Sequence, residues 1–415
     1  MKTFRSLATY NFRLWALGAF VSNIGTWMQR IAQDWVVLTE LTNQSATAMG
    51  IVLGLQFGPQ ILLLPLTGYA ADHFDRRKLL LATQIAMGLL ALGLGLLILT
   101  GAVQLWHVYG FAALLGCVSA FDAPVRQSFV GELVGDEHLS NAVALNSSSF
   151  HAGRLIGPAI AGVMIAAVGS GWVFIINALS FLPVVAVLLL LRREQLRQRE
   201  KPVHSRGGFL RGFRYVRGRP DLMAVLVMLF LVGTFGNNFP IFISTMAVTV
   251  FETGASQFGF LSSMMAIGSV IGSLMSASRE RPRFGLLLAG TLVFGVGLGI
   301  AAFMPTYAGF AVMLVLIGVS AQTFSTTAFS AAQLWTEANM RGRVMAITMA
   351  ITMGGTPIGA PLVGWVADTY GARWGLGVGA LAGLLAAAVA LVYLIRHRRL
   401  RFFVQGRRIR YRFEE

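Results

Sequence analysis

Apolar runs of about 18 to 25 residues, each long enough to cross a ~30 Å hydrocarbon layer as a helix, recur along this chain from end to end. In round numbers twelve are read, at 14–39, 46–70, 79–101, 104–126, 140–169, 172–191, 222–250, 256–278, 284–303, 306–333, 343–367 and 374–395. Only 12% of residues are charged and 56% are hydrophobic, against roughly 25% charged in an ordinary soluble domain. The opening "MKTFRSLATYNFRLW" runs straight into the first span without a small-residue cleavage site, so that span is expected to stay.

A formal net charge of +16 raises the question of nucleic acid, and the placement of the cations answers it. With the amino terminus inside, the inner connections take Arg76, Arg77 and Lys78, the cluster Arg192 to Arg219, then Arg279, Arg281, Arg283, Arg341 and Arg343. The outer connections "TGAVQ", "GSG" and "MPTYAG" carry no charge. This is the positive-inside bias, which orients the chain with both termini cytoplasmic and favours anionic lipid at that face. Nucleic-acid binding is not expected. The single Cys117 lies inside the fourth span without a partner, so redox compartment is not readable.

One long polar connection, Arg192 to Leu222, separates two halves, and reads as a solvated linker on the membrane surface. Across it the sequence repeats. Gly116 matches Gly318, Gly153 matches Gly355, Gly157 matches Gly359, Gly162 matches Gly364 and Trp172 matches Trp374, each pair 202 apart. The organisation is therefore read as 1–191, an amino-terminal six-helix bundle; 192–221, a basic linker; 222–395, a second bundle; and 396–415, a basic cytoplasmic tail. Doubled bundles suit a transporter whose halves rock about a central site. No phosphate-binding loop and no HExxH occurs, so neither ATP chemistry nor a metal is expected, and an ion gradient remains as the energy source.

Specific residues now carry a resemblance. "GYAADHFDRRKLL" resembles the loop signature G-x-x-x-D-x-x-G-R-[RK] of the major facilitator superfamily in Gly68, Asp72, Arg76 and Arg77, with Asp75 in place of a glycine. "GRLIGPAIAG" resembles its fifth-helix antiporter signature in Gly153, Gly157, Pro158 and Gly162. "FGNNFPIF", "INALSF" and "GWVADTYGARWGL" look like the branch of enterobactin exporters and macrolide-efflux-type carriers. The resemblance implies an all-α polytopic fold of twelve transmembrane helices in two pseudo-symmetric six-helix bundles, working as a monomer. It also implies that Asp72 caps the eleventh helix near Arg343 and that Arg76 reaches Asp122, latching the halves together.

Other residues are read from position. The glycines of the fifth span leave surface free of Cβ for a close helix approach between the halves, and Pro158 removes a backbone hydrogen bond. Arg154, mid-span, costs about 2.5–3.5 kcal/mol unless it meets a partner, water or ligand. His151 lies one turn before it. On the first helix Asn23, Trp27, Arg30 and Asp34 form one stripe, and Asp34 is the candidate proton carrier, because a nearby cation favours an ionised carboxylate whereas dehydration favours the protonated one. Its depth, about twenty residues into the span, leaves an interfacial position open. In the second half Asn237, Asn238, Phe239 and Gln322 are candidates for the cavity wall and carry no protons, so coupling is placed in the first half. "GWVADTYGAR", with Gly364, Asp368 and Gly371, imitates the loop signature but falls on the outer face.

The expectation is a non-enzymatic, proton-coupled exporter of small amphipathic compounds in a bacterial inner membrane, without cofactor. Two alternatives stand beside it: a carrier of a siderophore or other anionic metabolite bound by Arg30 and Arg154, and a non-transporting membrane sensor or scaffold.

Overall fold

The computed structural model describes residues 2–196, 208–277, 279, 282–397, 400–405 and 408–413. The first half contains α1 (Tyr10–Trp35, continued to Leu41 by a wider π turn), α2 (Ala46–Leu62), α3 (Leu64–His73), α4 (Arg76–Leu99), α5 (Leu105–Val130), α6 (Asp136–Val168) and α7 (Ser170–Leu190). The second contains α9 (Pro220–Leu231), α10 (Phe239–Thr245), α11 (Ala255–Ala277), α12 (Phe284–Ala302), α13 (Tyr307–Leu334), α14 (Arg341–Gly354), α15 (Thr356–Tyr370) and α16 (Ala372–His397), with α8 (Gly208–Arg217) between the halves.

Ten helical runs among the described residues are long and apolar enough to cross a membrane, counting 220–250 and 341–370 as one each. Two more complete a twelve-span arrangement. The α1 run falls short because Asn23, Gln29, Arg30, Gln33 and Asp34 dilute its hydropathy, and α2–α3 falls short because it breaks at Leu63, just ahead of Pro65. Leucines such as Leu189, Leu190, Leu274 and Leu381 stay exposed around the outside, as expected where lipid is the solvent.

The repeat read in the sequence is a repeat of contacts. Gly116 seats α5 on the α2 backbone at Gln56, and Gly318 seats α13 on the α11 backbone at Met265. Gly153 lets α6 meet α1 at Asn23, while Gly355 lets α15 meet the 232–236 segment at Thr234. The same offset joins Gly169 and Gly371, whose φ of 93° and 99° turn α6 into α7 and α15 into α16 within one residue. Only glycine takes that backbone without strain.

Two segments differ from expectation. The linker is not wholly solvated: Val216 of α8 is buried, and Gly212 seats α8 against Arg343 and Ile347 of α14. Residues 197–207 of the linker lie outside the described part. The carboxy-terminal tail pairs as an antiparallel hairpin, β1 (Leu400–Gln405) with β2 (Arg408–Phe413), in keeping with the strict basic–apolar alternation of 408–413.

Candidate functional site

Between the halves lies a cavity of about 480 Å³, walled by α1, α2 and α6 on one side and by α10, α11, α13 and the α14–α15 junction on the other. Trp27, Arg30, Gln33 and Asp34 face it from α1, and Arg154 and Pro158 from α6. From the second half come Asn237, Asn238, Phe239 and Gln322. None of the residues that line it from the second half is titratable. Every ionisable group on the wall thus belongs to the first half.

The ionic centre is built on one indole. The Arg30 guanidinium carbon lies 4.7 Å from the centroid of the Trp27 ring and that of Arg154 lies 5.6 Å from it. Phe150 meets the same ring edge-on at 5.6 Å. Gly157 makes this possible: a Cβ there would stand 2.7 Å from Trp27 Cβ, so any larger residue would push α6, and Arg154 with it, away from α1. Among the described residues neither guanidinium makes a hydrogen bond or an ion pair with protein, and the indole face is their only direct protein contact of that kind.

Asp34 is 7% exposed and borders the cavity, one helical turn beyond Arg30 and also outside ion-pair distance of it. The helical run continues seven residues past it to Leu41.

The cavity ends where the halves close on each other, at the side away from the termini. Gly162 packs α6 on α11, its Cβ position 2.6 Å from Ala255 O, and Gly259 in turn seats on Pro158 O. Gly50 seats α2 on Ala360 O of α15. Trp35 stacks on Phe258 at 6.3 Å. Across this seam Asp368 accepts hydrogen bonds from Ser45 Oγ at 3.0 Å, Ala46 N at 2.7 Å and Thr47 N at 2.9 Å. It thereby caps α2 from the other half. The antiporter-type glycines are thus divided: Gly153 and Gly157 pack within the first half, and Gly162 alone joins the two.

Several expected residues sit elsewhere. Arg76 does not reach Asp122; it pairs with Glu132 at 2.5 Å. Asp122 is buried at 6% exposure and is already saturated by Thr83 Oγ1 at 2.8 Å, Gln84 Nε2 at 2.7 Å and Arg126 Nε at 2.9 Å. Arg77 donates to the last carbonyls of α7, Leu188 O and Leu189 O. Asp75, where the signature has glycine, caps α4 by accepting from Lys78 N at 3.0 Å. The side chains of Gly68 and Asp72 lie outside the described part. Arg343 lies under α8. Asn23 is not on the cavity wall, since Gly153 draws its backbone onto α6 and its Nδ2 donates to Ser149 Oγ at 3.0 Å. His151 is half-buried, off the wall, with its ring edge-on to Phe150.

Sequence reasoning missed a second group. Gln29, Gln33, Gln56, Gln60 and Asn177 converge with Thr26 and Ser119 around a space of about 60 Å³ inside the first bundle. The signal was present as two glutamine pairs, 29/33 and 56/60, each four residues apart on neighbouring helices.

Comparison with known proteins agrees with this geometry. The family model described as transmembrane secretion effector matches residues 1–401. The enterobactin exporter EntS of Shigella flexneri is 27% identical over 347 residues, covering 80% of this chain and 79% of that one. The MFS-type transporter YfiS of Bacillus subtilis is 24% identical over 293 residues, covering 68% of each. Among solved structures, a bacterial homolog of the human lysosomal transporter Spinster, inward-facing and unoccupied, superposes with a TM-score of 0.75 at 15% identity over 92% of this chain and 96% of that one. A bacterial homologue of the iron transporter ferroportin, inward-facing, gives 0.72 at 17% identity over 93% and 99%. The chain is a multi-pass membrane transporter, not an enzyme, and it belongs to the transmembrane secretion effector family of the major facilitator superfamily.

Proposed function

We propose that this protein exports small amphipathic anions by alternating access between its two halves. One observation carries the reading: Arg30 and Arg154 stand on a single indole, face a cavity, and have no acceptor among the described residues. Two adjacent cations with a single carboxylate near them, and no direct ion pair to it, favour a ligand that brings further negative charge, and each guanidinium offers a planar fork for carboxylate-like oxygens. The rest of the wall, with Phe57, Phe150, Phe239, Phe258 and Met265, suits a ring-bearing body. The relatives named as enterobactin exporters support outward movement and siderophore-type cargo. On this reading the membrane is the bacterial inner membrane, both termini are cytoplasmic, and the cavity opens to the cytoplasm.

Linkage sets the energetics. An anion seated on Arg30 and Arg154 offsets the Arg30 charge that faces Asp34, so cargo and proton bind together rather than compete. A multiply charged anion is then driven outward by the membrane potential, about 2.3 kcal/mol per elementary charge per 100 mV. The position of Asp34 on the cavity wall, outside ion-pair distance of Arg30, favours a second reading for uncharged or cationic cargo. There the proton and the cargo exclude each other at Asp34, and efflux is proton-coupled antiport.

Reconstituted vesicles loaded in separate sets with a fluorescent aromatic carboxylate and with a fluorescent aromatic amine separate the two, the first probe testing anion export and the second antiport. Under anion export, efflux follows an imposed membrane potential and Arg154→Ala abolishes it. Under antiport, efflux follows a pH gradient, Asp34→Asn abolishes it and Arg154→Ala spares it. An unmodified protein that moves nothing under either gradient contradicts both.

A further inference from the structure

The space of about 60 Å³ inside the first bundle has no part in the reading above. It lies between α1, α2, α4, α5 and α7, and it shares Arg30, Gln33, Gln56 and Phe57 with the wall of the central cavity. It adjoins that cavity at these residues, with Arg30 on the border of both.

Its lining is costly for a bundle core. One wall is internally satisfied: Asn177 Nδ2 donates to Gln29 Oε1 at 2.5 Å, and Ser180 Oγ donates to Asn177 Oδ1 at 3.0 Å. The opposite wall is not. Gln33 is 4% exposed, and neither its side chain nor that of Gln56 makes a hydrogen bond among the described residues. Thr26 and Ser119 add hydroxyls whose donors and acceptors are likewise open to the space. Amide and hydroxyl groups that face the space without a protein partner take one from whatever occupies it, so the chamber suits something polar. At 10–15 Å³ per molecule it holds roughly four to six waters, or the polar end of a ligand.

The chemistry of the free groups selects the class. Carboxamides and hydroxyls each donate and accept, whereas a site for a bare anion needs donors only. We infer that the chamber formed by Gln33, Gln56, Thr26 and Ser119 is a subsite for a neutral hydroxyl-bearing arm of the cargo, whose negative charge stays outside on Arg30 and Arg154. This rests on the anion-export reading and sharpens it, because the cargo becomes a hydroxylated aromatic or aliphatic acid rather than any amphipathic anion. Charge is read in the cavity and hydroxyl groups in the chamber, with Arg30 on the border of both.

The test is calorimetric titration of the full chain in lipid nanodiscs with two probes, benzoate and 3,4-dihydroxybenzoate, read as the ratio of their affinities. Two added hydrogen bonds predict that the unmodified protein holds the dihydroxy acid about tenfold more tightly. In Gln33→Leu/Gln56→Leu the ratio falls to about one. Ser119→Ala, a milder change on α5, lowers it roughly threefold and keeps the question answerable if the double variant does not fold. Benzoate binding without a hydroxyl preference in the unmodified protein, or a preference left undiminished in Ser119→Ala or in a folded double variant, overturns the subsite and leaves anion export standing. Failure of the unmodified protein to bind either acid overturns both.

Discussion

Asp368 Oδ1 accepts the backbone N–H of Ala46 at 2.7 Å, although the two residues stand 322 positions apart and on opposite halves of the molecule. With the further bonds from Ser45 Oγ and Thr47 N, this carboxylate serves first-turn donors of α2 beyond Ala48 N, which donates to Ser45 Oγ at 3.2 Å within its own half. The resemblance implies the reciprocal arrangement for Asp72, at the inner end of the second span, on the eleventh. A segment that imitates the loop signature without sharing its place therefore ties the seam at the far end of the cavity.

Loss of this cap loosens that seam. N-cap and helix-dipole interactions contribute about 0.5–2 kcal/mol, so Asp368→Ala shifts the ratio of closed to open forms by roughly two- to thirtyfold. Spin labels at Asn43→Cys and Tyr370→Cys, in a Cys117→Ser background, read it as a gain in the longer-distance population. An unchanged distance distribution would count against the cap as a closing element.

Small residues set how closely the halves approach. A Cβ at Gly162 would stand 2.6 Å from Ala255 O, with Ser256 Cα at 3.0 Å. Gly162→Leu is expected to prevent closure and abolish transport with the protein still folded, and the same spin-label pair should report the open form. Gly58, where a Cβ meets nothing within 4 Å, is the control, and Gly58→Ala leaves transport within about twofold.

Trp27 is the platform for both guanidiniums. Cation–π contacts open to water contribute about 0.5–1 kcal/mol each, so Trp27→Leu, which loses both, weakens binding of an aromatic carboxylate by roughly five- to thirtyfold while Trp27→Phe restores part of it. Equilibrium binding to the purified protein checks this, and equal loss in both variants would remove the indole face from the account.

Asp122 acts within one half. Asp122→Ala strands Arg126, Thr83 and Gln84 and should cost about 3–5 kcal/mol, seen as a lower thermal midpoint. The spin-label distances across the seam should not change with it. A shift in those distances would return Asp122 to the latch that the resemblance implies.

Much of this architecture was legible because lipid leaves a chain few choices: apolar length sets the spans, cation placement sets a direction, and the 202-residue offset predicts matched contacts. The α1 stripe of Trp27, Arg30 and Asp34 followed from helical period, and so did the absence of titratable residues on the second half's wall. Pairings set by three-dimensional competition were not legible. Arg76 takes Glu132 because Asp122 is already held by three donors, and the hydroxyl and amide partners among them leave no charge signal in a sequence. Asn23 drops off the wall because Gly153 pulls α6 onto it. The linker helix α8 was hidden by its arginines, although Tyr215 and Val216 give it an inner face.

The most direct test is charge movement. Vesicles containing the protein on a solid-supported membrane, given a pulse of an aromatic carboxylate on the side that bears the termini, should yield a transient current in which net negative charge crosses toward the other side, absent in Arg154→Ala. A current of the opposite net charge, or an equal current from Arg154→Ala, would contradict the claim that Arg30 and Arg154 hold an anionic cargo.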